Sequence, residues 1–597
     1  MDCLKSHSSI GDALSSTPVQ SQSGTPSGIS TRRDVFVRDK NELSLLLDLP
    51  FEIQSKIYTY LQTRDIARLT QVNSCIYNSL KKDASMIKAW YRQIAPSHQA
   101  LIKTIVMAKD KNQLEGWLSR FTEDKALVKS IMDRQTSIYF PALFYSTLTK
   151  LMSQCKTFEL ETKANLPGNG KLNSASFSAD GRCMAIASDN DTLEIYGRES
   201  DGSWTEKGTV LHYGSIISST FSANGRYVVT ASKDGEAKIY GKKDDGSWEE
   251  KATISHNNWV NSATFSNDSR YVVTASGDGK AKIYGQRDDG SWVEKAIIFH
   301  DQDVKSATFS PDSRHVLTRS SDGEAKIYSQ RVDGSWEEKA IISHDDWAFS
   351  AGFCADSRHV ITRGENNKVK IFSIEADGSW QEKATISHDC WVLSAAISAN
   401  GRYVVTTRRD HSVKIHSLED DGSSEEKAIF SHENRVNSAC FSPDSRHVVS
   451  HSYDGKAKIY GQKDNGSWEV KAIISHDDRV WLATFSADSC YLITCGEDNK
   501  AKIYGRKGDG SWQEKAIISH DKDIRSATFS VDSHHVVTAS IDKTAKIYGQ
   551  VSDGSWQEKA TISHPSSIRS AIFSADGLVL TIHGINTAKI TELRMDV

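Results

Sequence analysis

The sequence has no hydrophobic run that approaches the roughly 18 residues needed to cross a bilayer. Its opening residues, MDCLKSHSSI, lack the apolar core of a secretory signal. The formal net charge is only −4, too little charge of one sign for a general nucleic-acid or membrane-surface binder. With 38% hydrophobic and 25% charged residues, we expect a soluble globular protein that binds neither nucleic acid nor membrane.

Cysteine pairs and catalytic motifs are also missing. The nine cysteines include no C-x-x-C pair and their number is odd, which favours a reducing compartment over a disulfide framework. We expect the cytoplasm, with the nucleus as the alternative. There is no G-x-S-x-G, no H-E-x-x-H and no phosphate-binding glycine loop. We therefore expect a protein that is not an enzyme and has no cofactor.

The sequence does contain a repeat. A 44-residue unit is marked by a histidine at His212, His256, His300, His344, His388, His432, His476, His520 and His564. The tryptophan of a DGSW turn recurs at the same interval, at Trp204, Trp248, Trp292, Trp336, Trp380, Trp468, Trp512 and Trp556. Only Ser424 breaks that series. A fixed period of this length predicts a solenoid, a propeller or an array.

The copy that starts at Ser255 has the pattern of a β-sheet. Segments 263–266 and 281–284 alternate, 271–276 is β-branched, and 292–298 follows the turn RDDG. Four short strands separated by Gly, Asp, Asn and Ser turns predict one antiparallel sheet, and such a unit makes one propeller blade. In the last turn, we expect Asp289 and Gly290 to form the bend and Trp292 to pack against the sheet.

Ten copies are present, with first strands near Phe177, Phe221, Phe265, Phe309, Phe353, Ile397, Phe441, Phe485, Phe529 and Phe573. The tenth copy lacks a good fourth strand, and residues 156–166, before the first copy, align with that strand. We predict a mainly β protein in which this N-terminal strand closes a ring of about ten blades and removes exposed sheet edges. One ring is favoured over two smaller rings because no linker interrupts the register.

The unit resembles a WD repeat, and this resemblance covers residues 156–597. The matching positions are Ser255-His256, Ser276, Asp278 and Tyr284. In that family a histidine, a serine, an aspartate and a tryptophan form a hydrogen-bonded chain that pins the loops to the sheet. The resemblance implies the same structural network for His256, Ser276, Asp278 and Tyr284, with a phenol in place of the indole.

Two copies depart from the family's pattern: Asn366 replaces the aspartate and Arg408 replaces the serine. We expect incomplete networks there. Metal binding by the histidines is an alternative, but copies 44 residues apart would lie in different blades, whereas zinc holds its ligands within about 2 Å. The DGSW turn is similar to the Asp-box of other propellers, although one residue short, and it lacks the oxygen ligands of a calcium loop.

The N-terminal part has a different character. Residues 1–34 are rich in Ser, Thr, Gly and Gln, and we expect a disordered tail over residues 1–40. In residues 41–92, apolar stripes predict three short helices, one near Pro50 and one near Thr63. Their core would be very small, so part of their apolar surface should meet a partner.

This segment resembles an F-box through Leu49-Pro50, Glu52-Ile53, Tyr60-Leu61, Asp65-Ile66, Val72-Asn73 and Trp90. The resemblance implies docking to the Skp subunit of a cullin–RING ubiquitin ligase. The Skp-binding residues would be Leu49, Pro50, Ile53, Ile57, Leu61, Ile66, Leu69, Val72 and Trp90. The alternative is a three-helix cap for the propeller. Residues 93–155 have a helical pattern and would link the F-box to the propeller.

Two positions vary between copies while the framework stays fixed. One is the third residue after the histidine, and the other precedes the aspartate. In WD repeats these loops carry the partner face, and exposed Trp, Tyr and Arg are common interface anchors. We hypothesise a substrate-binding face made of Trp259, Trp347, Trp391, Arg409, Arg435, Tyr453 and Arg479. The alternative is that the tryptophans merely pack between blades.

Two functions from different classes follow. The chain is either an adaptor that holds a protein substrate at the ligase core, with catalysis supplied by other subunits through proximity, or an interaction scaffold without ligase association. A glycan-binding or hydrolytic propeller rests only on the Asp-box likeness. The sequence leaves the origin open, because very uniform copies also fit a recently duplicated effector of an intracellular bacterium that acts in the host cytoplasm.

Overall fold

The structure is a computed structural model that describes residues 96–595, apart from 108, 138–139, 169, 200–201, 345–346, 420–421, 464, 552–553 and 575–576. The predicted tail and the predicted F-box lie outside the described residues. The same is true of every residue assigned to Skp binding: Leu49, Pro50, Ile53, Ile57, Leu61, Ile66, Leu69, Val72 and Trp90.

Four helices precede the strands. Asp110 caps the second helix by accepting from the Gln113 N–H, and the Gln113 side chain accepts from the Asp110 N–H in return. This capping box starts a new helix inside the continuous helical pattern of residues 101–121. The four helices are Pro96–Met107, Lys111–Ser119, Lys125–Met132 and Phe140–Gln154. No helix in the described part of the chain has the length and hydropathy to cross a membrane.

The remaining elements form ten antiparallel sheets of four strands each. Nine sheets take four consecutive strands, and the tenth adds the strand Phe158–Pro167 to the last three strands of the chain. The predicted ten-bladed propeller and its N-terminal closing strand are therefore confirmed. The first strand of the third blade starts earlier than predicted, at Val260, which is buried and pairs with Ser276.

Blades 1 to 10 are numbered in chain order. The first strands are Leu172–Phe177, Ile216–Phe221, Val260–Phe265, Val304–Phe309, Ala348–Phe353, Val392–Ile397, Val436–Phe441, Val480–Phe485, Ile524–Phe529 and Ile568–Phe573. The second strands are Cys183–Ser188, Tyr227–Ser232, Tyr271–Ser276, His315–Ser320, His359–Gly364, Tyr403–Arg408, His447–Ser452, Tyr491–Gly496, His535–Ser540 and Leu578–His583.

The third strands are Thr192–Arg198, Glu236–Lys242, Lys280–Gln286, Glu324–Gln330, Lys368–Ile374, Ser412–Leu418, Lys456–Gln462, Lys500–Arg506, Thr544–Gln550 and Thr587–Met595. The fourth strands of blades 1 to 9 are Trp204–Leu211, Trp248–Ser255, Trp292–Phe299, Trp336–Ser343, Trp380–Ser387, Ser424–Ser431, Trp468–Ser475, Trp512–Ser519 and Trp556–Ser563. In blade 10 the closing strand takes the place of the fourth strand.

The first strands surround the axis of the ring, because neighbouring first strands meet while neighbouring fourth strands scarcely touch. The spacing between neighbouring first strands varies around the ring. Beside Ala275, the first strands of blades 3 and 4 lie next to each other. Beside Arg319 and Arg363, the first strand of the same blade and that of the following blade are farther apart. The Arg319 guanidinium donates to the Ala348 carbonyl (3.0 Å) and that of Arg363 to the Val392 carbonyl (2.7 Å), so each bridges to the next blade.

The DGSW turn packs as predicted. Gly290 has a φ of +83°, a left-handed conformation that glycine adopts without strain. Asp289 accepts hydrogen bonds from the Ser291 N–H (2.9 Å) and hydroxyl (2.6 Å), so this carboxylate stabilises its own turn. Trp292 is 6% exposed and lies edge-on to Tyr227 of the preceding blade, with ring centroids 5.5 Å apart. Each such tryptophan therefore ties one blade to the next.

The closing strand joins the two ends of the propeller. Phe158 pairs with Met595 and Pro167 with Thr587. Beside this pairing, the buried side chains of Leu172 in blade 1 and Ile590 in blade 10 belong to one hydrophobic cluster. The first and last blades therefore share one apolar interface.

The helices pack on the end of the propeller that carries the turns between first and second strands. There the Lys109 ammonium donates to the Asp180 carbonyl (2.8 Å). Buried side chains of all four helices share one core with strands of blades 9 and 10. Lys559, only 1% exposed, donates to the Cys155 carbonyl just after the last helix. The helices and the propeller thus form one packed unit.

Replacing Lys559 with alanine should lower the thermal unfolding midpoint. Burial lowers the pKa of this lysine, and its loss leaves the Cys155 carbonyl without a charged donor, which costs about 1.5–3 kcal/mol. Lys515 holds the same repeat position in blade 8 and is only partly buried, so Lys515→Ala is the matched control and should change the midpoint little. Equal midpoints for the two variants, measured by circular dichroism, would contradict the anchoring role.

Candidate protein-interaction face

Buried histidine–carboxylate pairs pin the loops at the other end of the propeller. In blade 3, His256 Nδ1 lies 3.1 Å from Asp278 Oδ2, and His256 Nε2 lies 2.8 Å from Thr274 Oγ1. Asp278 also accepts from the Asn257 N–H (3.0 Å). The loop before the first strand is thereby fixed to the turn between the second and third strands. The same pairing recurs as His212–Asp234, His300–Asp322, His432–Asp454, His476–Asp498 and His520–Asp542.

Of the residues predicted to form the network, His256 and Asp278 bond each other and Ser276 bonds Asp278, whereas Tyr284 bonds a different group. The hydroxyl that meets the histidine belongs to Thr274. Ser276 instead donates to the Asn258 carbonyl (3.1 Å) and accepts from the Asp278 N–H (3.1 Å), so it holds the loop without touching the ring. Burial and the nearby Glu294 carboxylate raise the pKa of Tyr284, whose hydroxyl turns to that carboxylate.

Blade 7 is the exception that contains the predicted phenol. Here Ser450 replaces the threonine, and its hydroxyl bonds both His432 Nε2 (2.8 Å) and the Tyr460 hydroxyl (3.0 Å). Tyr460 is fully buried and stacks on Phe430, with centroids 4.1 Å apart. Two differences accompany this inward turn: Ser450 lacks the methyl group of threonine, and Val470 stands where other blades carry the glutamate that accepts from the tyrosine.

Blade 6 has an incomplete network, as predicted from Arg408. That arginine pairs with Asp389 (2.5 Å) and Asp410 (2.6 Å). Both ring nitrogens of His388 lack a hydrogen-bond partner among the described residues. Burial, reinforced by the neighbouring His416, lowers the pKa of His388 to about 4. In blade 5, His344 bonds Thr362 (3.0 Å), and Asn366 stands in place of the carboxylate.

Metal coordination is not needed to explain the histidine pairs. His212, Asp234 and Glu236 lie close enough to share an ion. However, His212 Nδ1 and Asp234 Oδ2 are 2.8 Å apart, at hydrogen-bond distance. Asp234 also accepts from the backbone N–H groups of Tyr213 and Glu236 (2.9 and 2.8 Å). The Asp234 carboxylate therefore stabilises the loop through hydrogen bonds.

The two variable positions of each copy lie side by side on this end of the propeller. The residue before the aspartate donates its N–H to the carbonyl of the third residue after the histidine. The distance is 2.9 Å from Gly277 to Trp259 and 2.8 Å from Arg409 to Trp391. The same bond joins Glu365 to Trp347, Tyr453 to Arg435 and Glu497 to Arg479. The variable residues thus form a ring of adjacent pairs, called here the interaction face.

Aromatic side chains occupy one sector of the interaction face. Trp259 is 53% exposed and Trp347 59% exposed, so packing between blades does not account for them. Trp391 is 37% exposed and contacts Phe349 of the preceding blade, with centroids 5.8 Å apart. A groove of about 510 Å³ beside Trp347 is lined by Asp301 and Asp303, among other residues, which makes this sector acidic as well as aromatic.

The neighbouring sector is basic. Tyr453 is half-buried between the guanidinium groups of Arg435 and Arg479, which lie 5.8 and 5.0 Å from its ring centroid. Such stacking orients both arginines. The exposed Arg409 belongs to the adjoining blade. A partner for the whole face would therefore need basic groups opposite the aromatic sector and acidic groups opposite the arginines.

The variable loop positions of the repeat did not include two residues that lie beside this face, Phe349 and Arg363. Arg363 lies 4.8 Å from the Phe349 ring centroid, beneath Trp391 in the same aromatic cluster. Both positions vary between copies, since Asn261 and Ala275 occupy them in blade 3. Their variation between copies is the signal in the sequence that identifies them, because it extends from the loops into the strands.

Comparison with protein-family models identifies the repeat. Seven segments match the family described as "WD domain, G-beta repeat", each running from the fourth strand of one blade to the third strand of the next: 205–241, 248–285, 294–329, 380–417, 424–461, 468–505 and 512–549. The chain therefore carries WD40 repeats, which are typical of noncatalytic protein-interaction scaffolds. No F-box family matches, and a comparison with curated proteins finds no match.

The same substitution in two blades tests the loop-pinning pairs. His256→Phe should destabilise the protein by about 1–3 kcal/mol, because Asp278 and Thr274 lose a buried partner. His388→Phe is the matched control and should change little at neutral pH, because the His388 ring makes no hydrogen bond to the described residues. Thermal midpoints at pH 7.5 give the comparison, and a larger loss for His388→Phe would contradict the assignment.

The His388 variant should also reduce acid lability. Between pH about 6.5, the ordinary histidine value, and about 4, the value in the fold, the unfolded chain binds a proton that the folded chain does not. Stability therefore falls as pH falls through this window. His388→Phe removes that contribution, so its midpoint should drop less than the parent's between pH 7.5 and pH 5. An equal drop would count against a neutral, buried His388.

Proposed function

We propose that this chain is the substrate adaptor of an SCF-type cullin–RING ubiquitin ligase. The F-box-like order of residues in 41–92, ahead of a WD40 propeller, carries this proposal. Leu49, Pro50 and the other apolar residues of that segment would dock on Skp, and the propeller would hold the substrate. The adaptor would raise the local concentration of the substrate at the ubiquitin-charged enzyme, which other subunits supply. It would act in the cytoplasm or nucleus of a eukaryotic cell, including a host cell if the chain is a bacterial effector.

The substrate would bind the interaction face through Trp259, Trp347, Trp391, Arg409, Arg435, Tyr453 and Arg479. What supports this is the exposure of all of them except the half-buried Tyr453, and their position on adjacent loops. Aromatic and arginine side chains give interface anchors with large contact area. The split between an acidic, aromatic sector and a basic sector would select a substrate with the opposite arrangement of charge.

The second candidate is an interaction scaffold without ligase association. The observation that favours it is the match to WD40 repeats without a match to an F-box. In this case residues 41–92 would cap the propeller, and the interaction face would assemble proteins without marking them for degradation.

A capture experiment separates the two candidates. Tagged full-length protein should retain purified Skp–cullin complex, and Leu49→Ala/Pro50→Ala should reduce that capture at least about tenfold, because both residues would lie in the docking surface. A parent protein that captures no Skp would favour the scaffold. The double variant must keep the parent's near-ultraviolet circular dichroism for the comparison to count.

A second variant, expressed with the same tag in eukaryotic cells, tests the interaction face. Trp259→Ala/Trp347→Ala/Trp391→Ala should keep Skp capture and lose most co-purified partners, as measured by quantitative mass spectrometry. The control changes three exposed apolar residues elsewhere, Val332→Ala/Val470→Ala/Ile517→Ala, and should keep both. Unchanged partner recovery by the triple tryptophan variant would contradict the assignment of the face.

A further inference from the structure

Blade 6 departs from the rest of the repeat at two positions around its marker histidine, His388. Arg408 stands where the other blades among the first nine carry serine or glycine, and His416 stands where they carry tyrosine or phenylalanine. Arg408 pairs with Asp410 (2.6 Å), the aspartate that would otherwise hold the histidine. The two changes together leave blade 6 with two histidines and without its loop-pinning pair.

Four buried polar atoms around these residues lack a hydrogen-bond partner among the described residues. They are both ring nitrogens of His388, Nδ1 of His416 and the hydroxyl oxygen of Thr406. In blade 3 the equivalent histidine bonds both Asp278 and Thr274. Buried polar atoms in folded proteins nearly always have a partner, so a group from outside the chain is needed to satisfy those of blade 6.

The two imidazole rings are close enough to share one metal ion. Their centroids are 5.9 Å apart and their planes meet at 80°. A zinc ion lies about 2.0–2.1 Å from an imidazole nitrogen and about 3.2 Å from the ring centroid, so rings that share it can be up to about 6.4 Å apart. Burial lowers the pKa of both His388 and His416 to about 4. Both rings are therefore neutral at pH 7, as metal ligation requires.

The charges around the two rings favour a cation. Arg408 pairs with Asp389 (2.5 Å) as well as with Asp410, and Lys414 pairs with Glu426 (2.7 Å). These three carboxylates outnumber the two cations, and the neutral imidazoles add no charge. The surroundings of the rings therefore carry one negative charge in excess, which a bound cation would offset.

We propose that His388 and His416 bind a divalent first-row metal ion such as Zn²⁺ or Cu²⁺, for which imidazole is a favoured ligand. The Thr406 hydroxyl and water would complete the coordination. His388 lies in the loop before the first strand of blade 6, and His416 lies in the third strand. The ion would connect the two, and so replace the histidine–aspartate pair that most blades use. The inference does not rest on the proposed ligase function.

The test is calorimetric titration of full-length, EDTA-treated protein with ZnCl₂ at pH 7.5, with metal content measured after dialysis. We expect one zinc ion per chain at this site. His388→Phe and His416→Tyr should each weaken binding at least about tenfold, because each removes one of the two imidazole ligands. His416→Tyr also restores the residue found in most other blades, which favours retention of the fold.

Two substitutions in the same blade are the controls. His411→Asn changes a neighbouring, half-buried histidine to the residue of blades 5 and 8 and should leave zinc binding unchanged. The ligand atoms of Asp389, Cys390 and Asp410 also lie close together, and Cys390→Asn introduces the residue of blades 3 and 7. This variant should keep zinc binding, and its loss would assign the ion to the loop and overturn the proposal.

Thermal midpoints give a second readout. In metal-free buffer, His388→Phe should match the parent, whereas zinc should raise the midpoint of the parent alone. The electron paramagnetic resonance spectrum of the Cu²⁺-loaded parent should show coupling to two imidazole nitrogens, which tests the site without a substitution. No zinc binding by the parent, or equal binding by the parent and the folded histidine variants, would overturn the proposal, because water would then satisfy the buried nitrogens.

Discussion

A ring of ten sheets holds together only if its last blade is joined to its first, and the closing strand provides that join. Phe158–Pro167 pairs along its length with Thr587–Met595, and the cluster around Leu172 and Ile590 fills the space between the two blades. An open ring would present two sheet edges and two apolar blade faces to solvent. The helices depend on the same join, because their core includes residues of blade 10.

Within the closed ring, packing and recognition use different positions of the repeat. The DGSW tryptophans and the histidine pairs fix most blades and their loops, so the two variable positions can change without loss of a buried contact. The second-strand position held by Ala275 or Arg319 adjusts the distance between neighbouring first strands. Where the position holds arginine, the two first strands lie farther apart and the guanidinium donates a hydrogen bond to the next blade. Such local adjustment is compatible with an unusually wide ring.

The sequence was sufficient to predict the fold because period, turn residues and strand pattern all agreed. The sequence also predicted the contact between His256 and Asp278, but it did not predict that the hydroxyl group of Thr274 bonds the histidine. Thr274 and Ser276 are two residues apart and face the same side of one strand, so only distances distinguish them. The inward turn of Tyr460 accompanies changes at two distant positions of the repeat, Ser450 and Val470. The exposed face was found because near-identical copies make the variable residues evident.

The shared tenth blade also constrains the order of events during synthesis. The strand Phe158–Pro167 emerges from the ribosome long before its partner, Thr587–Met595, has been translated. Until then blades 1 to 9 can form in turn, but the faces that will meet blade 10 remain uncovered. A nascent chain of this kind would need protection by chaperones for most of its translation, and a stop codon shortly before Thr587 would leave an open arc in place of a ring.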